Sequence, residues 1–246
     1  MKDYLLLIKE KASENLVAFN KKIVPDTKYE MLGVKVPDLK EIGKKIAKRG
    51  EELEYLRLPK RYYEEYFVSG FAISYSTRDY DEKIKLFDEF INCIDNWAIC
   101  DSVVLASKFI GKNKKKSLEF IEKWLKSKKP YIIRVAVVCL LGYYIVDEYI
   151  DYVLLCAKTI QSDDYYVNMA LSWLVSVALV KFYDKTVKCL ENREFKTFIH
   201  NKSIQKAVES FRVSQSNKEQ LKKLKIKWVL WKILGNTYPS ETISRF

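Results

Sequence analysis

The chain is short of almost everything that punctuates or reacts. It has seven glycines, five prolines and one histidine among 246 residues. No Asn-Gly or Asp-Gly hairpin dipeptide occurs, and the runs between breakers repeat with helical rather than alternating periodicity. An all-α fold follows. The single histidine, His200, leaves little support for Ser-His-Asp or Cys-His hydrolysis or for histidine-based metal sites. Neither a Walker loop nor a GxGxxG turn is present, which removes the usual nucleotide-cofactor signatures. Five cysteines, Cys93, Cys100, Cys139, Cys156 and Cys189, are scattered without a CxxC pair and read as reduced core thiols. Arg134 interrupts the most apolar stretch, Tyr131 to Val146, well short of the roughly 18 residues of a membrane span. Met1-Lys2-Asp3-Tyr4 lacks a cleavable signal pattern, so the cytoplasm is the expected location.

Hydrophobic residues make up 48% of the chain, enough to bury a full core as one or two domains or as one elongated array. Lysine and arginine number 44 against 32 acidic residues, a net charge of +12. That excess favours a polyanionic partner through counterion release, although surface lysine in a Lys-, Ile-, Tyr- and Asn-rich chain can also be plain solvated charge.

Periodicity and breakers predict helices near 2–20, 37–49, 60–76, 79–92, 96–110, 113–128, 130–146, 147–160, 164–180, 182–192, 202–213 and 217–227. Three polar-x-Ala triplets recur: Arg134-Val135-Ala136, Asn168-Met169-Ala170 and Gln205-Lys206-Ala207. Their intervals of 34 and 37 residues suit helix pairs stacked as an α-solenoid of HEAT-like repeats. The array is expected to span 1–235 as a single domain. Residues 236–246, which lack periodicity, are expected to form a C-terminal tail.

Four residues combine into a candidate site. Trp97 and Asp101 lie four apart at the start of a helix, so indole and carboxylate share a face, opposite the stripe of Ile99, Val103, Ala106 and Ile110. Arg134 is the one charge in a helix apolar on nearly every side and requires an anionic partner. Trp173 sits in the uncharged run from Tyr165 to Val180. Each has a plainer role open to it. Asp101 and Arg134 would serve as an internal ladder between repeats, and Trp173 as core.

Trp97-x-x-x-Asp101, Arg134 within Tyr-Ile-Ile-Arg-Val-Ala, Trp173 within Asn-Met-Ala-Leu-Ser-Trp, and Leu32-Gly33-Val34-Lys35-Val36-Pro37 together resemble the bacterial DNA alkylation repair enzymes, the HEAT-like-repeat glycosylases often called the AlkD family. The resemblance extends from about Tyr29 to Lys225. It implies a right-handed superhelix whose concave basic groove holds duplex DNA, a monomer that needs no cofactor and no metal. The implied activity is removal of 3-methyladenine- and 7-methylguanine-type bases without a base-flipping pocket, by a monofunctional DNA glycosylase. Asp101 would be the catalytic carboxylate and Trp97 and Trp173 the walls against the lesion nucleotide. Arg134 would hold a phosphate, with Lys202 and Lys206, at the matching repeat position, on the backbone. Two positions depart from active relatives. Asn96 stands where they have a second aromatic before the first tryptophan, and Ser176 where they carry a basic residue one turn beyond the second. The alternatives are a non-catalytic module for structured or branched DNA and a protein-interaction scaffold.

Overall fold

A computed structural model describes residues 3–226. The expected tail, 236–246, and the boundary at 235 lie outside them. The described chain is helical: α1 Tyr4–Lys9, α2 Glu14–Ile23, α3 Val36–Arg49, α4 Glu52–Arg57, α5 Tyr63–Tyr75, α6 Tyr80–Phe90, α7 Trp97–Ala106, α8 Lys108–Lys112, α9 Lys114–Leu125, α10 Pro130–Cys139, α11 Ile150–Thr159, α12 Tyr165–Lys181, α13 Tyr183–Glu191, α14 Thr197–Glu209 and α15 Gln215–Leu224. No strand forms among the described residues; one isolated parallel bridge joins Glu30 and Tyr62.

The helices make the row that a stacked repeat requires. Helix α3 packs on α5, α5 on α7, α7 on α10, α10 on α12, and α12 on α14. A second set flanks that row, with α6 against α5, α9 against α10, α13 against α12 and α15 against α14. Each inner helix thus rests mainly on its predecessor and successor, the near-neighbour packing of an α-solenoid. The three triplets explain the spacing. Ala136, Ala170 and Ala207 are all completely buried, one on each of α10, α12 and α14.

Several boundaries differ from the sequence expectation. The helix expected over 2–20 breaks after Lys9 and resumes at Glu14, because Ser13 N–H turns out to donate to Leu32 O at 3.1 Å. The one expected over 96–110 breaks at Ser107, whose hydroxyl is drawn to Val103 O at 2.9 Å and to Ser74 Oγ at 2.7 Å. Lys108 therefore starts a new helix. Helix α14 starts at Thr197, five residues before the expected 202, and α4 was not expected at all.

The Leu32–Pro37 segment shows why its glycine is needed. Buried Glu64 accepts hydrogen bonds from Leu32 N at 3.0 Å and Gly33 N at 2.7 Å, which curls the backbone around the carboxylate. Gly33 adopts φ +76°, and a Cβ there would lie 2.1 Å from Ser13 O. This knot fixes α2 against α5. It brings Ile23, the last residue of α2, to the mouth of the cleft described next. Among the described residues no helix is long and apolar enough to cross a membrane.

Candidate active site

Three inner helices present their N-terminal turns to one region. Helix α7 starts at Trp97 because Asn96 caps it, its Oδ1 accepting from Ile99 N at 3.0 Å. Helix α12 starts at Tyr165 because Asp164 caps it in the same way, accepting from Val167 N at 3.0 Å. Helix α10 starts at Pro130, whose fixed φ suits the first helical position. The first turns of α7 and α12, which carry Trp97, Tyr165 and Tyr166, line the same cleft, and a helix N-terminus favours anions.

A cleft of about 460 Å³ opens there. Trp97, Asp101, Arg134, Trp173, Lys202 and Lys206 all line it, so residues spread over four inner helices meet in one site. The sequence did not single out Ile23, Tyr165, Tyr166, Met169, Gln205 and Glu209, which complete the lining. A signal for part of that set was present. Tyr165, Met169 and Trp173 are spaced i, i+4, i+8, and Lys202, Gln205, Lys206 and Glu209 are spaced i, i+3, i+4, i+7, each one helix face.

Asp101 and Arg134 form the centre. Arg134 Nε donates to Asp101 Oδ1 at 3.0 Å and Nη2 to Oδ2 at 2.7 Å, a bidentate fork, while Nη1 donates to the carbonyl of Tyr166. The two side chains are only 7% and 15% exposed. Burial works against the Arg134 charge, but the Asp101 carboxylate outweighs it and holds the guanidinium's pKa above its ordinary value. Beside them the Cys100 thiol is pushed well up by burial and then by the Asp101 carboxylate, so it is inert.

The tryptophans are half-buried walls. Trp97 Nε1 donates to Ile23 O at 3.0 Å, which fixes the indole plane on the end of α2. Tyr166 stands between neighbours, its ring 5.8 Å from that of Tyr131 and 5.4 Å from that of Tyr165. The two departures also have structural roles. Asn96 is buried, with Nδ2 on Asp95 Oδ1 at 2.7 Å in addition to its capping bond. Ser176 is buried with its hydroxyl on Trp173 O at 2.8 Å and does not line the cleft.

On α14 the polar groups form a short chain. Lys202 Nζ donates to Gln205 Oε1 at 3.1 Å, and Gln205 Nε2 donates to Glu209 Oε1 at 3.0 Å. Lys206 projects beside them with its amine pKa lowered, first by burial and then by the charge of Lys202. Among the described residues no group of three His, Cys, Asp or Glu side chains converges as a metal site.

A repeat of helix pairs with an aromatic cleft, a buried carboxylate–guanidinium pair and two lysines in its lining defines a class of helical proteins suited to a polyanion. Residues 5–188 match the family model of the DNA alkylation repair enzymes, and the chain belongs to that family. No curated protein matches it. Membership carries a role in the repair of alkylated DNA and DNA as the partner. The matched segment includes Trp97, Asp101, Arg134 and Trp173; Lys202 and Lys206 lie beyond it.

Two outcomes follow. Asp101→Asn leaves the Arg134 guanidinium buried without its counter-charge and is expected to cost about 3 kcal/mol, lowering the melting temperature by about 6–12 °C. Replacing both members, Asp101→Leu with Arg134→Met, is expected to recover most of that loss in the same thermal melt. For Lys206, burial disfavours the charged form, so the neutral amine appears at lower pH than in an exposed lysine. Competitive acetylation across a pH series, read by peptide mass, should show Lys206 turning reactive before the lysines of the 114–116 run.

Proposed function

We propose that the protein is a DNA glycosylase that removes cationic alkylated purines, of the 3-methyladenine and 7-methylguanine type, from duplex DNA as a monomer without a base-flipping pocket. The observation that carries this reading is the meeting of Trp97, Asp101, Arg134, Trp173, Lys202 and Lys206 in a single cleft. One domain over 1–235 would wind as a right-handed superhelix and lay the duplex in a concave basic groove along its inner helices.

Alkylation at a purine ring nitrogen makes the base a formal cation and a good leaving group. Little protonation by a general acid is then required, in keeping with a cleft whose chemistry is carboxylate, indole and cation. Rupture of the glycosidic bond develops oxocarbenium character on the deoxyribose. Asp101 is the carboxylate to stabilise it, held rigid by Arg134 and with lone pairs still open beyond the two in the fork. The faces of Trp97 and Trp173 attract a cationic sugar or base. Three of the five Arg134 N–H donors are occupied; the remaining two, with Lys202, Lys206 and the helix N-termini, are available to phosphate.

One observation favours a second reading. Both Asp101 oxygens are already engaged by Arg134, the geometry of a ladder between repeats, and this supports a non-catalytic module for structured or branched DNA.

The decisive experiment incubates the protein with a duplex carrying one 7-methylguanine and scores abasic sites by alkaline cleavage. Excision is expected, and Asp101→Asn should slow single-turnover excision by about 100-fold or more at a temperature where its circular dichroism is native. A wild type that binds the duplex without excising would replace this reading by the non-catalytic module. Binding itself should weaken steeply with salt, and Lys202→Ala with Lys206→Ala should reduce the log–log slope by about two. A salt-insensitive interaction would favour a protein-interaction scaffold.

A further inference from the structure

Lys206 differs from the other two basic side chains of the cleft. Arg134 is held by Asp101, and Lys202 Nζ is held by Gln205 Oε1. Among the described residues Lys206 Nζ meets no hydrogen-bond acceptor and no carboxylate at ion-pair distance, although its side chain is half-buried against the cleft. Its charged neighbours are Lys202 and Arg134, which disfavour protonation, and Glu209 and Asp101, which favour it; burial decides the balance and lowers the amine's pKa. A cleft-lining amine with no hydrogen-bond acceptor, three residues from Glu209 on the same helix face, is arranged as a nucleophile.

We propose that Lys206 attacks the C1′ aldehyde of an abasic deoxyribose, so that the cleft carries a strand-cleaving lyase activity on abasic sites in duplex DNA. The inference rests on the reading of the cleft as a DNA site, and it extends the single activity that the family resemblance implied. The reaction needs no oxidant, reductant or metal. The neutral amine adds to the ring-opened aldehyde carbon, and the carbinolamine hydroxyl takes a proton from solvent and leaves as water, giving an iminium ion between Nζ and C1′. That cation acidifies C2′, from which a base removes a proton. The electron pair forms the C2′=C3′ bond as the C3′–O bond breaks, and the phosphate leaves as the 5′ end of the downstream strand. Water then hydrolyses the conjugated imine, freeing Lys206 and an unsaturated aldehyde at the 3′ end upstream. Glu209 is the carboxylate for the C2′ proton. It is one turn from Lys206 on the same face of α14, lines the same cleft, and is oriented by Gln205.

The test uses the full chain and a duplex in which one abasic site has been made beforehand, so that no base excision is required. Sodium borohydride reduces the imine to a stable amine, and a covalent protein–DNA species should appear on a denaturing gel, with the attached peptide containing Lys206. Without borohydride the strand should break to the two ends described. Lys206→Arg keeps the positive charge but has no neutral amine to offer. At protein concentrations that saturate the abasic duplex it should lose at least about tenfold of the trapped species. Lys206→Gln, a smaller side chain, should give the same loss at saturating protein, while Lys115→Arg, an exposed position outside the cleft, should still be trapped. Absence of a trapped species, absence of binding to the abasic duplex, or attachment at another lysine that persists in Lys206→Arg would each overturn the proposal. A chain trapped on the abasic duplex but inert toward 7-methylguanine would keep this inference and lose the glycosylase reading; the converse result would do the reverse.

Discussion

The fork between Asp101 and Arg134 ties three consecutive inner helices at one point: the carboxylate comes from α7, the guanidinium from α10, and the third hydrogen bond ends on Tyr166 in the first turn of α12. Removing two charges from water is costly, and a pair as buried as this gives little net stability compared with apolar side chains of the same volume. Its value lies in register. The fork has one geometry that satisfies both partners, so sliding α10 against α7 breaks two charge-assisted bonds at once. The aromatic walls depend on that register, since Trp97 is one turn from Asp101 and Tyr166 carries the carbonyl that Arg134 holds. Structural ladder and candidate catalytic carboxylate are therefore compatible descriptions of the same group.

Much of this architecture was legible in the chain. The triplets at 134–136, 168–170 and 205–207 gave the period, and their alanines are all buried, one on each of three successive inner helices. The need of Arg134 for an anion was legible too, as a charge in an apolar helix has no other way to exist. Helix breaks were less so. Ser13 and Ser107 end helices through partners far away in sequence, Leu32 and Ser74, and no local pattern carries that information. The environment of Lys206 was equally hidden. Its spacing placed it on the cleft face, but the charges that act on its amine come from α7, α10 and α14 together.

Asn96 and Ser176 both serve local order. Asn96 caps α7 and holds Asp95, whose carboxylate in turn accepts from Thr27 Oγ1 at 3.0 Å and Lys28 N at 2.9 Å. The loop that follows α2 is thus tied to the first turn of the helix bearing Trp97. An aromatic residue at 96 would lose both the cap and that tie. Ser176 satisfies its hydroxyl within α12, leaving the far end of the cleft to Trp173 itself.

The near-neighbour packing of the inner row has a consequence for how such a protein diversifies. Helix α14, which bears Lys202, Gln205, Lys206 and Glu209, rests chiefly on α12 and α15. The indoles and the Asp101–Arg134 fork belong to helices on the other side of α12 or to α12 itself. A terminal repeat can therefore be exchanged, shortened or recharged while the centre of the cleft keeps its shape, because no core side chain has to be reconciled across the whole molecule. The chain separates what must be rigid from what is free to vary, and it does so by position along a single axis.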